Sequence, residues 1–215
     1  MKMTQQIESR EMDTQTHWDK VYTEKAPNQV SWYRPHLETS LDLIEQAGVG
    51  VSGSIIDVGA GECTLVDDLI ARGYSELTVL DISQAAIAAS KNRLGNAAER
   101  VRWLVADITQ AELEPSAYDV WHDRAVFHFL TAAADRRAYI RQVVRSLRHG
   151  GHIIVSAFGP EGPTRCSGLD AVRYDEQSLH AEFGANFRLI SSSRHLHETP
   201  FGTTQQFLDC HCVLQ

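Results

Sequence analysis

The stretch Ile55-Ile56-Asp57-Val58-Gly59-Ala60-Gly61 constrains the fold of this chain more than any other: a short apolar run ends in an acid and a Gly-x-Gly turn. A run of that length closed by a turn reads as a buried strand. Glycines suit such a turn because positive φ and close approach of backbone to a ligand are cheap only without a Cβ. The pattern recurs twice. Leu77-Thr78-Val79-Leu80 ends in Asp81, and Val101-Arg102-Trp103-Leu104-Val105-Ala106 ends in Asp107. Strands alternating with helical stretches imply a mostly parallel sheet, whose ligands lie beyond the carboxyl ends of the strands. Three strand ends, each carrying an acid, therefore describe one pocket.

A carboxylate twenty residues after Gly61, at the end of the second strand, is placed to accept hydrogen bonds from both ribose hydroxyls of a bound nucleoside. That residue is Asp81. Phosphate binding is disfavoured. A dinucleotide fold needs a small third residue in Gly-x-Gly-x-x-Gly, and that position holds Thr64; a Walker-type loop needs a Gly-Lys ending, and no lysine occurs between Lys25 and Lys91.

The remaining pattern gives strands at 54–58, 77–81, 101–105, 118–122 and 152–157, with helices at 37–47, 62–72, 83–94 and 135–148, the last ended by Gly150-Gly151. After a Gly- and Pro-rich stretch from Phe158 to Asp175 come a helix at 176–183 and strands at 187–193 and 204–213. Residues 1–16 are polar and aperiodic and are expected to be a frayed arm or one ordered only over ligand, while the aromatics of 17–36 form a cap. A chain of 215 residues suits one domain, running here from 37 to 215 behind the 1–36 arm and cap. The net charge of −8 and the absence of a basic run argue against a nucleic-acid partner. No apolar run approaches the ~20 residues that span a bilayer, and no signal-peptide core is seen, so a cytosolic protein is expected. The cysteines Cys63, Cys166, Cys210 and Cys212 are too few and scattered for a disulfide framework. On a strand, Cys210 and Cys212 share one face and His211 the other, which favours buried core thiols over a metal site.

Taken in order, Asp57-x-Gly59-x-Gly61, Asp81-Ile82-Ser83, Ala106-Asp107-Ile108, Tyr118-Asp119-Val120 and Leu147-Arg148-His149-Gly150-Gly151 resemble the class I S-adenosylmethionine-dependent methyltransferases over roughly residues 50–158. The resemblance implies an α/β, Rossmann-like fold: a mostly parallel seven-stranded sheet with helices on both faces and a final antiparallel strand. It implies S-adenosylmethionine as cofactor and S-adenosylhomocysteine as product. Asp57, Gly59 and Gly61 would surround the methionine end, Asp81 would take the ribose hydroxyls and Asp107 would approach the adenine amino group. Ile82 and Ile108 would flank the adenine ring. Cys63 departs from the pattern, since many members carry a third glycine there.

The flanks are similar to the thiopurine methyltransferase and tellurite-resistance branch. His17-Trp18-Asp19 with Trp32-Tyr33 would supply an aromatic lid near the cofactor, Tyr118 to Ala125 resembles its fourth strand and following loop, and Arg165 to Tyr174 its substrate loop, at about 158–175. The implied acceptor is a small molecule, such as a thiol or other chalcogen.

Methyl transfer from a sulfonium needs alignment and exclusion of water more than a protein nucleophile. A thiol or amine acceptor must also lose a proton, which a group titrating near neutrality can take. His122, Asp123 and His128 follow the fourth strand, with Asp123 the first candidate and His36, Arg124 and Arg173 available to orient an anionic group. Each has a plainer alternative. His128 could be a hydrogen-bonded core histidine, Arg124 could cap a carbonyl or pair with Asp123, and Trp18, Trp32 and Tyr33 could merely close the core. Arg165 and Arg173 could be ordinary surface charge. The rival functions are a protein lysine methyltransferase, a noncatalytic cofactor-binding protein and a nicotinamide oxidoreductase, the last disfavoured by Thr64.

Overall fold

The computed structural model describes residues 14–215. Most of the expected frayed arm, 1–13, lies outside the described residues, and residues 14–16 are not frayed: 14–24 are helical (α1). After a 3-10 turn at Pro27–Gln29 come α2 (Glu38–Gln46), β1 (Ile55–Val58), α3 (Leu65–Ala71), β2 (Leu77–Asp81), α4 (Gln84–Leu94), β3 (Val101–Val105) and β4 (Tyr118–Arg124). The second half holds α5 (Ala133–Ser146), β5 (Leu147–Phe158), a small hairpin of β6 (Arg165–Cys166) and β7 (Leu169–Asp170), α6 (Glu176–Phe183), β8 (Phe187–Glu198) and β9 (Thr204–Leu214).

Seven strands form one sheet in the order β3-β2-β1-β4-β5-β9-β8. The pairings among β1 to β5 are parallel, and β9 runs antiparallel to both β5 and β8. One reversed strand thus sits inside an otherwise parallel sheet, as the sequence motifs imply. β1 and β2 are buried at every position, so their apolar runs are continuous and do not alternate. On one face Leu41 and Ile44 of α2 and Leu65 and Leu69 of α3 pack against Ile55, Val79 and Val120. On the other, Tyr139 and Val143 of α5 cover Trp121, Ile153 and Cys210. The two faces form separate cores.

The largest departures from the expected boundaries, five residues each, are at the start of β5 and the end of β8. β5 begins at Leu147, directly after α5, where a helix end and a Gly-Gly break are expected. Leu147 already pairs with Tyr118, and the register shifts before Val120 meets His152. Gly150, at φ 78°, absorbs the extra length, so the glycines mark an irregularity at the strand's start. The β8–β9 hairpin also extends to Glu198, beyond the expected 193. Among the described residues, no helix is long and apolar enough to cross a membrane.

Candidate active site

The carboxyl ends of β1, β2, β3 and β4 open on a cavity of about 650 Å³. Asp57, Gly59, Asp81, Ile82, Asp107, Ile108, Trp18 and Trp32 all line it, so every expected cofactor residue but Gly61 converges there, together with His122 and Arg124 of the acceptor-side candidates. Gly61 lies just behind the wall. A Cβ there would strike the hydroxyl of Tyr22, and one at Gly59 would strike Val126; both have positive φ, 55° and 68°. Glycine is required twice over at this turn.

Asp81 is buried. Its Oδ2 accepts from the Gly61 N–H at 2.7 Å and its Oδ1 from the Ser83 N–H at 2.8 Å. Each oxygen thus keeps lone-pair capacity for a further donor. Burial pushes the Asp81 carboxyl up to about 6, with Asp57 and Asp19 adding to the rise, while the two N–H donors hold it down. Asp107 binds its own turn: Oδ1 accepts from both the amide and the hydroxyl of Thr109 at 2.7 Å.

Asp57 is tied to β4. Its Oδ1 lies 2.7 Å from His122 Nδ1, whose Nε2 lies 2.9 Å from Ser40 Oγ on α2. The Cys63 thiol donates to Asp57 Oδ2 at 3.8 Å, and burial, then Asp57, drives that thiol far above its ordinary range. His122 is therefore engaged on both ring nitrogens.

Asp123 is a correction. Side chains alternate along a strand, and Asp123 faces away from the cavity into the core beneath α5. Its carboxylate accepts from Tyr139 Oη at 2.7 Å, Val126 N at 3.0 Å and Phe127 N at 3.2 Å. It organises the turn after β4, and it cannot touch an acceptor in the cavity. His128 departs from its alternative too: it is buried and stacked on Phe158 at 4.2 Å, yet neither ring nitrogen has a hydrogen-bond partner among the described residues. Burial, helped by Arg124, lowers it to about 3 and keeps it neutral.

Arg124 donates to the Trp32 carbonyl at 3.1 Å and lies over the Phe207 ring at 5.0 Å, which is the carbonyl contact of its plainer reading. Burial lowers its pKa. Among the described residues no carboxylate lies within ion-pair distance, so it presents a cation to the cavity without a direct counter-ion. His36 is engaged away from the cavity, with Asp68 at 3.0 Å. Arg173 is exposed, and Arg165 pairs with Asp170 across the β6–β7 hairpin. Cys210 and Cys212 face one another in the core with sulfurs 3.5 Å apart, while His211 turns to His152.

Several residues on this site have no distinctive signal in the sequence. Trp18 packs on Tyr22, Trp32 and Phe129 at 6.1, 5.8 and 5.3 Å, so Tyr22 and Phe129 join Trp18 and Trp32 in the aromatic wall, while His17 and Tyr33 of the expected lid do not line the cavity. The spacing of Trp18 and Tyr22, four apart, is the only hint. Asp19 reaches α4, where its Oδ1 accepts from Ser83 Oγ and Ala85 N.

The fold, an α/β sheet with its single reversed strand and a nucleoside-sized cavity at the carboxyl ends, is that of the class I methyltransferases. Residues 55–151 match the family model of the methyltransferase domain. The chain is 24% identical over 146 residues to the mouse (Mus musculus) eEF1A lysine and N-terminal methyltransferase, covering 68% of this chain and 20% of the relative. The chain thus spans a fifth of that relative's length. Among solved structures, one described as converting a disulfide bond into a thioacetal group during echinomycin biosynthesis superposes with a TM-score of 0.77 at 18% identity, covering 94% of this chain and 92% of the other. The Burkholderia thailandensis 1,6-didemethyltoxoflavin-N1-methyltransferase, solved with 1,6-didemethyltoxoflavin and S-adenosylhomocysteine, gives 0.69 at 19% identity, covering 100% and 89%.

Proposed function

We propose that the protein is an S-adenosylmethionine-dependent methyltransferase that transfers the methyl group to a small-molecule acceptor, a thiol or other chalcogen. The observation that carries the cofactor assignment is Asp81, a buried carboxylate oriented by two backbone N–H groups beside a cavity large enough for a nucleoside and its acceptor. In this reading Asp81 takes the two ribose hydroxyls, Asp107 the adenine amino group, and Ile82 and Ile108 the faces of the base. Asp57 and Arg124 flank the turn at Gly59 and carry opposite charges, the complement of an amino-acid zwitterion, so Asp57 meets the ammonium and Arg124 the carboxylate of the methionine end. Trp18 and Trp32 close over it. Gly61 supports the turn from behind.

The acceptor enters beside Phe129, Cys166 and Leu169, which line the same cavity, and 158–175 serves as its loop. The protein's work is to align nucleophile, methyl and sulfur in line and to keep water out. With His122 held between Asp57 and Ser40, a thiol that arrives already ionised suits the site better than an acceptor needing a strong base. The aromatic flank and this preference favour the thiopurine methyltransferase-like branch. Methylation of a protein lysine is the second reading, favoured by the mouse relative's name.

Titration calorimetry with S-adenosylhomocysteine, then a methyl-transfer screen over thiols, selenols, amines and peptide lysines, tests both. Binding with thiol turnover is expected. Binding with turnover of peptides alone favours the second reading, and no binding defeats the cofactor assignment.

A pH dependence follows from Asp81. The charged carboxylate is the form that accepts both hydroxyls, and burial raises it to about 6, so affinity for S-adenosylhomocysteine is expected to be flat above that pH and to fall below it, by up to about tenfold per pH unit. Titrations between pH 8 and pH 5 check this; an affinity unchanged across that range would show that the carboxylate is not in contact with the cofactor.

A further inference from the structure

We infer that Asp19 is a positioning residue that couples closure of the N-terminal helix to the ribose-binding carboxylate, and so governs how long the cofactor stays bound. The inference rests on the cofactor reading above and extends it to a residue that does not touch the cavity.

Thr14, Trp18 and Tyr22 are spaced four apart and line the cavity from one face of α1. α1 is therefore a roof. Asp19 stands on the adjacent face and reaches the start of α4: its Oδ1 accepts from the Ser83 hydroxyl at 2.7 Å and from the Ala85 N–H at 3.0 Å. α4 carries its own N-cap, Ser83 Oγ, which accepts from the Ala86 N–H at 3.1 Å, and Asp19 satisfies a second first-turn amide, that of Ala85, from another element. The Asp19 contacts thus tie α1 to the start of α4.

They also lie directly behind the ribose site. Ser83, fully buried, donates its hydroxyl to Asp19 and its own N–H to Asp81 Oδ1 at 2.8 Å. Asp81 Oδ2 in turn takes the Gly61 N–H, and the Tyr22 hydroxyl of the roof rests against Gly61. The chain Asp19, Ser83, Asp81, Gly61, Tyr22 starts and ends on α1. Roof and carboxylate are held in one closed loop of contacts, so the arrangement that seats α1 is the one that aims Asp81. Bound cofactor stabilises the seated roof, and an unlatched roof releases cofactor faster.

The test is the dissociation rate of S-adenosylhomocysteine, measured by stopped-flow displacement on tryptophan fluorescence, in wild-type protein, Asp19→Ala and Asp19→Asn. Asparagine keeps an oxygen able to accept from both Ser83 and Ala85. Dissociation about tenfold or more faster in Asp19→Ala, near the wild-type rate in Asp19→Asn, and an unfolding midpoint of ligand-free Asp19→Ala within a few degrees of wild type are the expected results. Ser83→Ala removes the hydroxyl half of the joint and α4's own cap while leaving the Ala85 contact; if Asp19→Ala does not fold, Asp19→Ser, too short to reach α4, replaces it and should speed release likewise. Unchanged dissociation in the alanine variant, or equal acceleration in alanine and asparagine variants, overturns the coupling. Wild-type protein that binds no S-adenosylhomocysteine overturns the cofactor reading and the coupling with it, a distinct outcome.

Discussion

Asp123→Ala is expected to lower the unfolding free energy by about 3 to 5 kcal/mol, the largest stability loss of any single change considered, without contact between that side chain and the cavity. The substitution leaves three donors without their acceptor: the buried Tyr139 hydroxyl and Phe127 amide and the partly buried Val126 amide. Tyr139 also accepts from Trp121 Nε1 at 2.8 Å, so the damage spreads to the largest buried side chain of the core. Val126, whose amide the carboxylate holds, packs against Gly59. Cofactor binding should weaken as a consequence. Asp123→Asn keeps one acceptor oxygen and should cost less.

The pH dependence separates charge from packing. Burial raises Asp123 to about 6 from 3.8, against the pull of Tyr139 and the amides. The folded state therefore binds a proton there more readily than the unfolded one, and this group's contribution to stability grows as pH falls from about 6 toward 4. Denaturant titrations at pH 7.5 and pH 5 should show the gap between wild type and Asp123→Asn widening at the lower pH. If Asp123→Ala keeps wild-type stability and loses only turnover, the carboxylate acts on the acceptor after all.

His122 and Asp123 show where the sequence stops being legible. Both end the same apolar strand, and a titratable group is wanted near that spot. Period-two alternation says that they face opposite ways, but which face opens on the cavity depends on what covers the sheet: α2 and the Gly59 turn on one side, α5 on the other. Asp57 and Asp81 were readable because the turn residues follow them immediately and a buried strand has little other use for a terminal acid. Asp19 was not, since its partner Ser83 is 64 residues away and nothing local distinguishes it from a solvated acid. The Gly150-Gly151 pair read as a break because glycine marks ends and bulges alike; only pairing of Leu147 with Tyr118 decides between them.

Asp81→Ala is expected to weaken S-adenosylhomocysteine binding by about 100-fold, on the order of 2 to 3 kcal/mol, the range for hydrogen bonds to a charged acceptor. A larger sum for two ribose hydroxyls is not expected, because the energetic baseline is not an ideal acceptor. Burial already raises this carboxyl to about 6, so part of what the hydroxyls give repays its desolvation. Alanine also releases the Gly61 and Ser83 amides, which loosens the turn beneath the methionine end. Asp81→Asn isolates the charge: one oxygen still accepts, but an amide nitrogen then faces Gly61 N–H or Ser83 N–H, donor against donor. Its affinity should fall nearly as far, and, lacking a titrating group, it should lose the decline below pH 6 that the wild type shows. Calorimetry on the three proteins at pH 7.5 and pH 5, with circular dichroism to confirm folding, reads both effects. Equal affinity in wild type and Asp81→Ala would place the ribose elsewhere, and a pH-dependent decline of the same size in Asp81→Asn would show that Asp81 is not the titrating group.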